Sequence, residues 1–313
     1  MLYITTRDHN EVFTAARTLQ QPINSAQGPY VPFRFPAYSA DDIAALKDKP
    51  FGQCVADLLN LFFSTQLTGW DVDFSVGRNP LKVTALDKRT IIAEVWHNPQ
   101  SDYNYVISSL YKKICGDAGQ TEPTEWAVIA IRIATLFAAY GEMLREQPID
   151  PGQPFDIVIA ADDLSLLISA WYAKIIGLPI GTIVAGSGDS WPLWDLIMRG
   201  SVSTRDASSP HHAGLERLIH IALGQNEACR YMNAYRTGAM YATDENLLSD
   251  LKRNIFAAVV GKSRIDSTIN QVYRSVLYRF DSQTALAYNG LQDYRAKTGE
   301  SKTALLIAHQ SIR

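Results

Sequence analysis

The hydrophobic positions of this chain follow two repeating patterns. Apolar residues recur every three or four positions over Phe51–Phe63, Glu125–Tyr140 and Leu166–Ile176, which predicts helices there. Short apolar runs rich in β-branched residues, Phe155–Ala160 and Gly181–Ala185, predict strands covered on both faces of a sheet. Strands that alternate with helices indicate an α/β fold, with a mainly parallel sheet flanked by helices.

A different pattern precedes these elements. The pieces Pro80–Thr84 and Thr90–Trp96 are short and β-rich, and Leu86–Arg89 between them predicts a hairpin turn. They lead into the segment Glu94–Lys113, where Glu-Val-Trp-His-Asn-Pro-Gln-Ser-Asp-Tyr-Asn-Tyr is followed by a helical run. The rest of the chain is organised around this segment.

Composition narrows the class of protein. The chain has 313 residues, of which 47% are hydrophobic and 19% charged, which predicts an ordinary soluble protein with one large domain or two. The net charge of −3 is spread without runs of like charge, so nucleic acid and membrane surfaces are not expected partners. No signal-like stretch opens the chain and no window of transmembrane length lacks polar residues, which predicts a cytoplasmic location.

The cysteines give no sign of a stabilising cross-link. Cys54, Cys115 and Cys229 are odd in number, widely spaced and in no Cys-x-x-Cys pair, so neither a disulfide framework nor a metal site is expected. Free cysteine usually behaves as a small buried hydrophobe, which predicts three inert thiols.

The central segment resembles the part of threonine synthases that carries the lysine for pyridoxal phosphate (PLP). In that family a strand ends in His-Gly-Pro-Thr-Leu-Ala-Phe-Lys-Asp and a helix follows. Here His97 and Pro99 match, Tyr103 stands for the phenylalanine, and Asn104 falls at the lysine. An asparagine amide cannot form a Schiff base because its lone pair is delocalised, so no covalently held PLP cofactor is expected.

Other segments match the family in the same order. Tyr3-Ile-Thr-Thr-Arg7 resembles the family's opening Tyr-x-Ser-Thr-Arg-Gly, and Pro210–Arg217 resembles Ser-Ser-Asn-Phe-Glu-Arg. Asp281–Ala287 stands for Asp-Pro-His-Thr-Ala-Val-Gly, with Thr284 at the position that faces the pyridine nitrogen in the family. A threonine at a helix N-terminus also has a sufficient structural role as a cap. The resemblance implies PLP-enzyme fold type II, shared with the tryptophan synthase β subunit.

The loop for the PLP phosphate departs from the family. Threonine synthases have Val-Pro-Thr-Gly-Asn-Phe-Gly-Asp after the strand that corresponds to Phe155–Ala160, and its backbone amides bind the phosphate. This chain has Ala-Asp-Asp-Leu instead, so Asp162 and Asp163 would repel a phosphate dianion. The alternative is that both aspartates cap the helix that begins near Leu164.

The family's small domain is missing as well. In threonine synthases the helix after the lysine leads into a mobile domain with Ser-Gly-Asp-Thr-Gly, which receives the substrate's anionic groups. Here residues 115–124 lead directly into the helix that starts at Glu125. The predicted organisation is a threonine-synthase-like N-terminal region, 1–96, and a large α/β domain, 97–313, with the small domain missing near 115–124.

Three hypotheses for function follow from the resemblance. The first is a pseudoenzyme without cofactor or metal, which uses the old cleft to bind a small molecule or a protein partner; the uncovered surface could also form a homodimer. The second is an enzyme that works without PLP, and the third is residual threonine synthase, converting O-phosphohomoserine to threonine with Lys112 or Lys113 holding PLP. For the second, the candidate acid and base groups are His97, Asp102, Asp162 and Asp163. The full set of candidate cleft residues is His97, Asp102, Asn104, Asp162, Asp163 and Thr284.

Overall fold

The computed structural model describes residues 1–21, 27–77, 80–95, 102–116, 122–161, 164–188, 192–204 and 211–310. The strands are β1 Leu2–Thr5, β2 Phe13–Thr14, β3 Tyr30–Pro32, β4 Leu81–Ala85, β5 Thr90–Val95, β6 Phe155–Ala160, β7 Ile180–Ser187, β8 Ser201–Ser203, β9 Met240–Ala242, β10 Ile255–Val259 and β11 Ala304–Ile307. The helices are α1 Ala15–Gln20, α2 Ala40–Ala45, α3 Phe51–Phe63, α4 Gly69–Val76, α5 Tyr103–Cys115, α6 Glu125–Glu146, α7 Leu164–Ile176, α8 Pro192–Arg199, α9 His211–Leu223, α10 Gln225–Thr237, α11 Glu245–Asn254, α12 Lys262–Val276 and α13 Ser282–Thr298, with a 3₁₀ turn at Leu46–Asp48.

A six-stranded sheet forms the centre of the protein, in the order β10-β7-β6-β11-β5-β4. Its strand pairs are parallel except for the hairpin of β4 and β5, so the predicted mainly parallel α/β fold is confirmed. Strand β11 is late in the chain but lies in the middle of the sheet, where Leu305 pairs with Ile91 of β5 and Ile157 of β6.

Each face of the sheet packs against its own hydrophobic core, because side chains alternate between faces along a strand. Ile157, Ile183 and Leu305 face the larger core, which contains α3, α6 and α7. Their neighbours Val158 and Leu306 face a smaller core under α12 and α13. The sheet is therefore covered by helices on both sides, as a parallel sheet requires.

Helix α6 is the central helix of the larger core. The prediction of a helix from Glu125 to Tyr140 is confirmed, and the helix continues to Glu146. It is long and apolar enough to cross a membrane by length and composition alone, but 89% of its apolar window is buried inside the protein. Burial against neighbouring helices accounts for its apolar character. The cytoplasmic location stays a prediction.

Two smaller sheets flank the central one. The N-terminal sheet has the order β2-β1-β3, and β8 pairs with β9 elsewhere. Tyr3 of β1 packs edge-on against Trp126 of α6, with ring centroids 5.3 Å apart, and its hydroxyl donates to the Phe62 carbonyl at 2.6 Å. The N-terminal sheet is thereby fixed to the main core.

The central sheet crosses the domain boundary predicted at residue 96. Strands β4 and β5 precede that residue, whereas the other four strands follow it, and all six belong to one sheet. Between α5 and α6 only residues 116–124 remain, of which 117–121 lie outside the described residues. A stretch of that length is too short for an independent domain; the proposed division of the chain stays a prediction.

Candidate functional site

A cavity of about 220 Å³ lies at the carboxyl ends of β6 and β11. Ala160 ends β6, Ile307 ends β11, and the first turns of α7 and α13 complete the wall. In open α/β sheets, ligands bind in the crevice outside the carboxyl ends of the strands. The lining residues are Tyr103, Arg132, Ala160, Leu166, Gln283, Ile307, Ala308 and His309.

Two polar side chains from different helices meet at this cavity. Tyr103 is the first residue of α5, and its buried hydroxyl shares a hydrogen bond with the hydroxyl of Thr135. Arg132 of α6 is only 5% exposed; its guanidinium carbon lies 5.4 Å from the centroid of the Tyr103 ring. Nη1 of Arg132 also donates to the hydroxyl of Ser165 on α7. The pair brings a permanent cation and an aromatic face to one wall.

The Tyr103 side chain is a neutral phenol at any physiological pH. Burial raises the pKa of Tyr103 to about 12, and the nearby Arg132 guanidinium offsets part of that rise. A phenol in this environment can donate or accept a hydrogen bond but cannot serve as a base near neutrality.

Asn104 lies on the other side of the same helix turn. Successive helical residues point about 100° apart, so a helix that turns Tyr103 inward turns Asn104 away, and Asn104 is exposed. The preceding Asp102 is the N-cap of α5, where its Oδ1 accepts from the Tyr105 amide at 2.9 Å. Neither Asp102 nor Asn104 lines the cavity.

Thr284 is buried at the start of α13, beside the cavity rather than in its wall. Its hydroxyl donates to the carboxylate of Asp281, the N-cap of α13, and accepts from the His309 amide at 3.1 Å. Asp281 also accepts from the Gln310 amide at 3.2 Å, which ties the segment after β11 to the helix start. The single hydroxyl proton of Thr284 is therefore used within the protein, and the N-cap of the helix is Asp281.

Three of the predicted cleft residues, His97, Asp162 and Asp163, lie outside the described residues. The acid and base group proposed from the sequence is therefore described only at Asp102. In the described part of the chain, no three His, Cys, Asp or Glu side chains are placed to hold a metal ion.

The two lysines considered for PLP are far from this end of α5. Lys112 and Lys113 lie in its last turn, about 12–14 Å along the helix axis from Asn104. Lys113 pairs with Asp71 at 2.9 Å, and Lys112 is exposed. The pKa of Asp71 lies well below its usual value, first because the Thr68 side chain donates to it and then because of Lys113.

A second polar cluster lies under the N-terminal sheet and was not predicted from the sequence. Nε of Arg7 lies 2.8 Å from Oε1 of Glu216 on α9, and the Thr6 hydroxyl donates to the same oxygen. Gly28 packs against this cluster with φ +92°, and a Cβ there would come within 2.2 Å of the Thr6 hydroxyl. Only glycine fits this position.

The next residue of α9 extends the cluster. Arg217 is fully buried; its Nη1 lies 2.5 Å from Oε1 of Glu125, and its Nε donates to the Tyr30 carbonyl at 3.3 Å. We call Thr6, Arg7, Glu125, Glu216 and Arg217 the N-terminal network. Thr6, Arg7, Glu216 and Arg217 belong to segments that resemble threonine synthase motifs. The opposite charges of Arg7 and Glu216 are the signal from which their pairing could have been inferred.

Comparison with known proteins gives a consistent result. No protein-family model matches the chain. Threonine synthase-like 1 of Pongo abelii is 22% identical over 199 residues, 60% of this chain and 26% of that protein, so the chain spans about a quarter of this curated relative.

Two solved structures share the fold over 99% of this chain. The PLP-bound threonine synthase from Brucella melitensis has a TM-score of 0.83 with 15% identity and is covered over 88% of its length. Threonine synthase from yeast has a TM-score of 0.80 with 12% identity and is covered over 87%. The chain is therefore similar in sequence to threonine synthase-like 1, and it has the fold of threonine synthases, the type II fold of PLP-dependent enzymes.

Proposed function

We propose that this protein is a threonine-synthase-like pseudoenzyme that binds a small molecule in the cavity at the ends of β6 and β11 and carries no PLP. The observation that carries the proposal is the start of α5, where Tyr103 faces the cavity and Asn104 faces solvent. The residue that stands for the PLP lysine therefore differs in chemistry and also lies outside the cavity wall.

The residues present do not fit PLP at its aldehyde carbon. A Schiff base needs a primary amine, and none of the described residues that line the cavity is a lysine. The distant positions of Lys112 and Lys113 argue against the hypothesis of residual threonine synthase.

The pyridine nitrogen would also find no donor at Thr284. That hydroxyl has one proton, and the Asp281 carboxylate accepts it. A carboxylate is acceptor-only, so the pair would have to break before Thr284 could donate to a ring nitrogen.

The phosphate would meet an unfavourable segment. Between Ala160 and Leu164 the chain has no glycine, and Asp162 and Asp163 carry negative charge. Each charge-assisted hydrogen bond to a phosphate contributes about 1.5–3 kcal/mol, so losing several would weaken binding by several powers of ten. Lost contacts at three parts of the cofactor support the same conclusion.

The proposal is tested by adding excess PLP to the purified protein and recording the absorbance of an internal aldimine, then reducing with borohydride and searching for a modified lysine. We expect neither band nor adduct. A reduced lysine adduct within the cavity would overturn the proposal.

The variant Asn104→Lys sharpens the test. Its amine would extend from the exposed side of α5, so we expect no PLP uptake and no phosphate release from O-phosphohomoserine. Asn104→Gln serves as the matched control for length without an amine. Turnover by the lysine variant alone would mean that an intact active site needs only this one residue. The protein partner and the homodimer considered from the sequence stay predictions.

A further inference from the structure

We propose that His9 and His220 together bind a divalent transition-metal ion of the Zn²⁺ and Cu²⁺ class, with water in the remaining coordination positions. The inference goes beyond the proposed function and is independent of it, because neither histidine lines the cavity at the ends of β6 and β11. It follows from the approach of the two rings, from the chemistry of imidazole and from the exposure of the pair.

The two histidines come from distant parts of the chain. His9 lies between β1 and β2, and His220 lies in the last turn of α9. Their Nε2 atoms are 3.0 Å apart, with the ring centroids separated by 5.3 Å and the ring planes at 77°. The outer nitrogens of both rings therefore meet at one place on the protein.

Two imidazole nitrogens at this distance need a cation between them, because their lone pairs would otherwise repel each other. A neutral imidazole has one N–H and one lone pair, so a proton serves when one Nε2 donates to the other. When both rings instead carry their proton on Nδ1, both Nε2 lone pairs are available for coordination. A metal ion can then take the place of the shared proton.

The spacing of the pair suits two ligands of one metal ion. A zinc–nitrogen bond is about 2.0–2.1 Å long, so two imidazole ligands are about 3.4 Å apart at the tetrahedral angle and about 2.9 Å apart at a right angle. The observed 3.0 Å lies within that range. His9 is exposed, so its ring can tilt until both lone pairs converge on the ion.

The surroundings supply water and oppose a cation only weakly. In the described part of the chain no third His, Cys, Asp or Glu side chain joins the pair, so solvent provides the other ligands. The positive charges of the neighbouring network are compensated, since Arg7 pairs with Glu216 and Arg217 pairs with Glu125. Imidazole ligands select zinc, copper and nickel, whereas magnesium prefers oxygen ligands.

A bound ion would join the connection between β1 and β2 to the end of α9. An ion that binds the folded protein and not the unfolded chain stabilises the fold by mass action. We therefore infer a structural role for the metal, as a clamp beside the N-terminal network.

Calorimetric titration tests the inference on the full chain, freed of metal with EDTA and then freed of EDTA. At pH 7 we expect ZnCl₂ to bind at one site per chain and MgCl₂ not to bind. His9→Ala and His220→Ala should each lower the zinc affinity at least tenfold, whereas His309→Ala, a histidine change at the cavity, should leave it unchanged. His9 is exposed, so His9→Ala decides the matter even if His220→Ala does not fold.

Two further readouts identify the ligands and the role. Long-range ¹H–¹⁵N NMR spectra of the imidazole rings should show zinc converting both histidines to the Nδ1–H form with Nε2 bound. Zinc should also raise the Tm of the native protein and leave that of His9→Ala unchanged.

The outcomes that contradict the inference are distinct from those of the PLP experiment. Failure of the native protein to bind zinc, equal binding of magnesium, or zinc affinity that survives in His9→Ala would overturn the metal site. Uptake of PLP would overturn the proposed function and leave the metal site untouched, because the two experiments use different residues.

Discussion

The cavity and the N-terminal network are both built around a buried arginine of a long helix, yet they use it differently. Arg217 in the network is bonded to Glu125 and to the Tyr30 carbonyl and holds three parts of the chain together. Arg132 lines a cavity at the end of the sheet. One buried arginine thus supports the fold, whereas the other borders open space at the end of the sheet.

The largest expected effect is on the network. Glu216→Ala removes a buried carboxylate that pairs with Arg7 and accepts from Thr6, so we expect the free energy of unfolding to fall by about 3–5 kcal/mol. Urea denaturation measures it. Asp293→Ala, which breaks the more exposed pair with Arg264, is the matched control and should cost less than about 1 kcal/mol. Equal losses in the two variants would remove the distinction between buried network and surface pair.

The next effect is on acid stability, through His220 beside the network. Burial lowers the pKa of His220 to about 4, with further lowering by His9, whose Nε2 lies 3.0 Å from Nε2 of His220, and by Arg217. Between pH 6.5 and 4 the unfolded chain therefore binds a proton that the folded protein does not. This contribution to the free energy of unfolding is fully present above pH 6.5. It decreases by about 1–3 kcal/mol as pH falls from 6.5 to 4.

Urea denaturation at pH 7, 5.5 and 4.5 measures that loss. His220→Gln should reduce the slope of the free energy of unfolding against pH. His309→Gln is a control histidine change at the cavity. An unchanged slope in His220→Gln would assign the acid sensitivity to other groups.

A smaller effect is expected within the cavity. Tyr103→Phe removes one buried hydroxyl, but Thr135 keeps its hydrogen bond to the Arg132 carbonyl at 2.9 Å. We therefore expect a loss of about 1 kcal/mol by thermal or urea unfolding. A loss above about 3 kcal/mol would mean that the cavity wall supports the fold as strongly as the network does.

The smallest effect is expected at Asn104. Because its side chain is exposed at the start of α5, Asn104→Ala should change the free energy of unfolding by less than about 0.5 kcal/mol. Val106→Ala, two residues along and buried, should cost roughly 2 kcal/mol. Destabilisation of Asn104→Ala comparable to that of Val106→Ala would place Asn104 in a packed site.

Much of the fold could be predicted because its signals are local. The apolar period of α6 and the β-branched runs of β6 and β7 are visible within one window of sequence, and the hairpin of β4 and β5 has a clear turn. The resemblance to threonine synthases supplied the order of the elements.

The candidate site could not be predicted in full from the sequence, because it depends on contacts between residues that are far apart along the chain. Arg132 meets Tyr103 from another helix, and Arg7 meets Glu216 across most of the chain. The sequence contains one indication of the cavity. Arg132 is the single charged residue inside the apolar run from Trp126 to Tyr140. The structure places this charge at the cavity wall, where Nη1 donates to the Ser165 hydroxyl.

The position of β11 has a consequence for how the protein forms. Strand β11 lies between β5 and β6. Until residues 304–307 are synthesised, the sheet therefore consists of two separate parts, β4–β5 and β6–β7–β10. A ribosome-bound chain would expose the unpaired edges of both parts, together with much of the apolar surface they share. Closure requires pairing across more than 200 residues of sequence between β11 and β5. Pairing between segments that are far apart in sequence slows folding. Exposed strand edges make a slowly folding chain prone to aggregation, so we expect its folding to depend on chaperones.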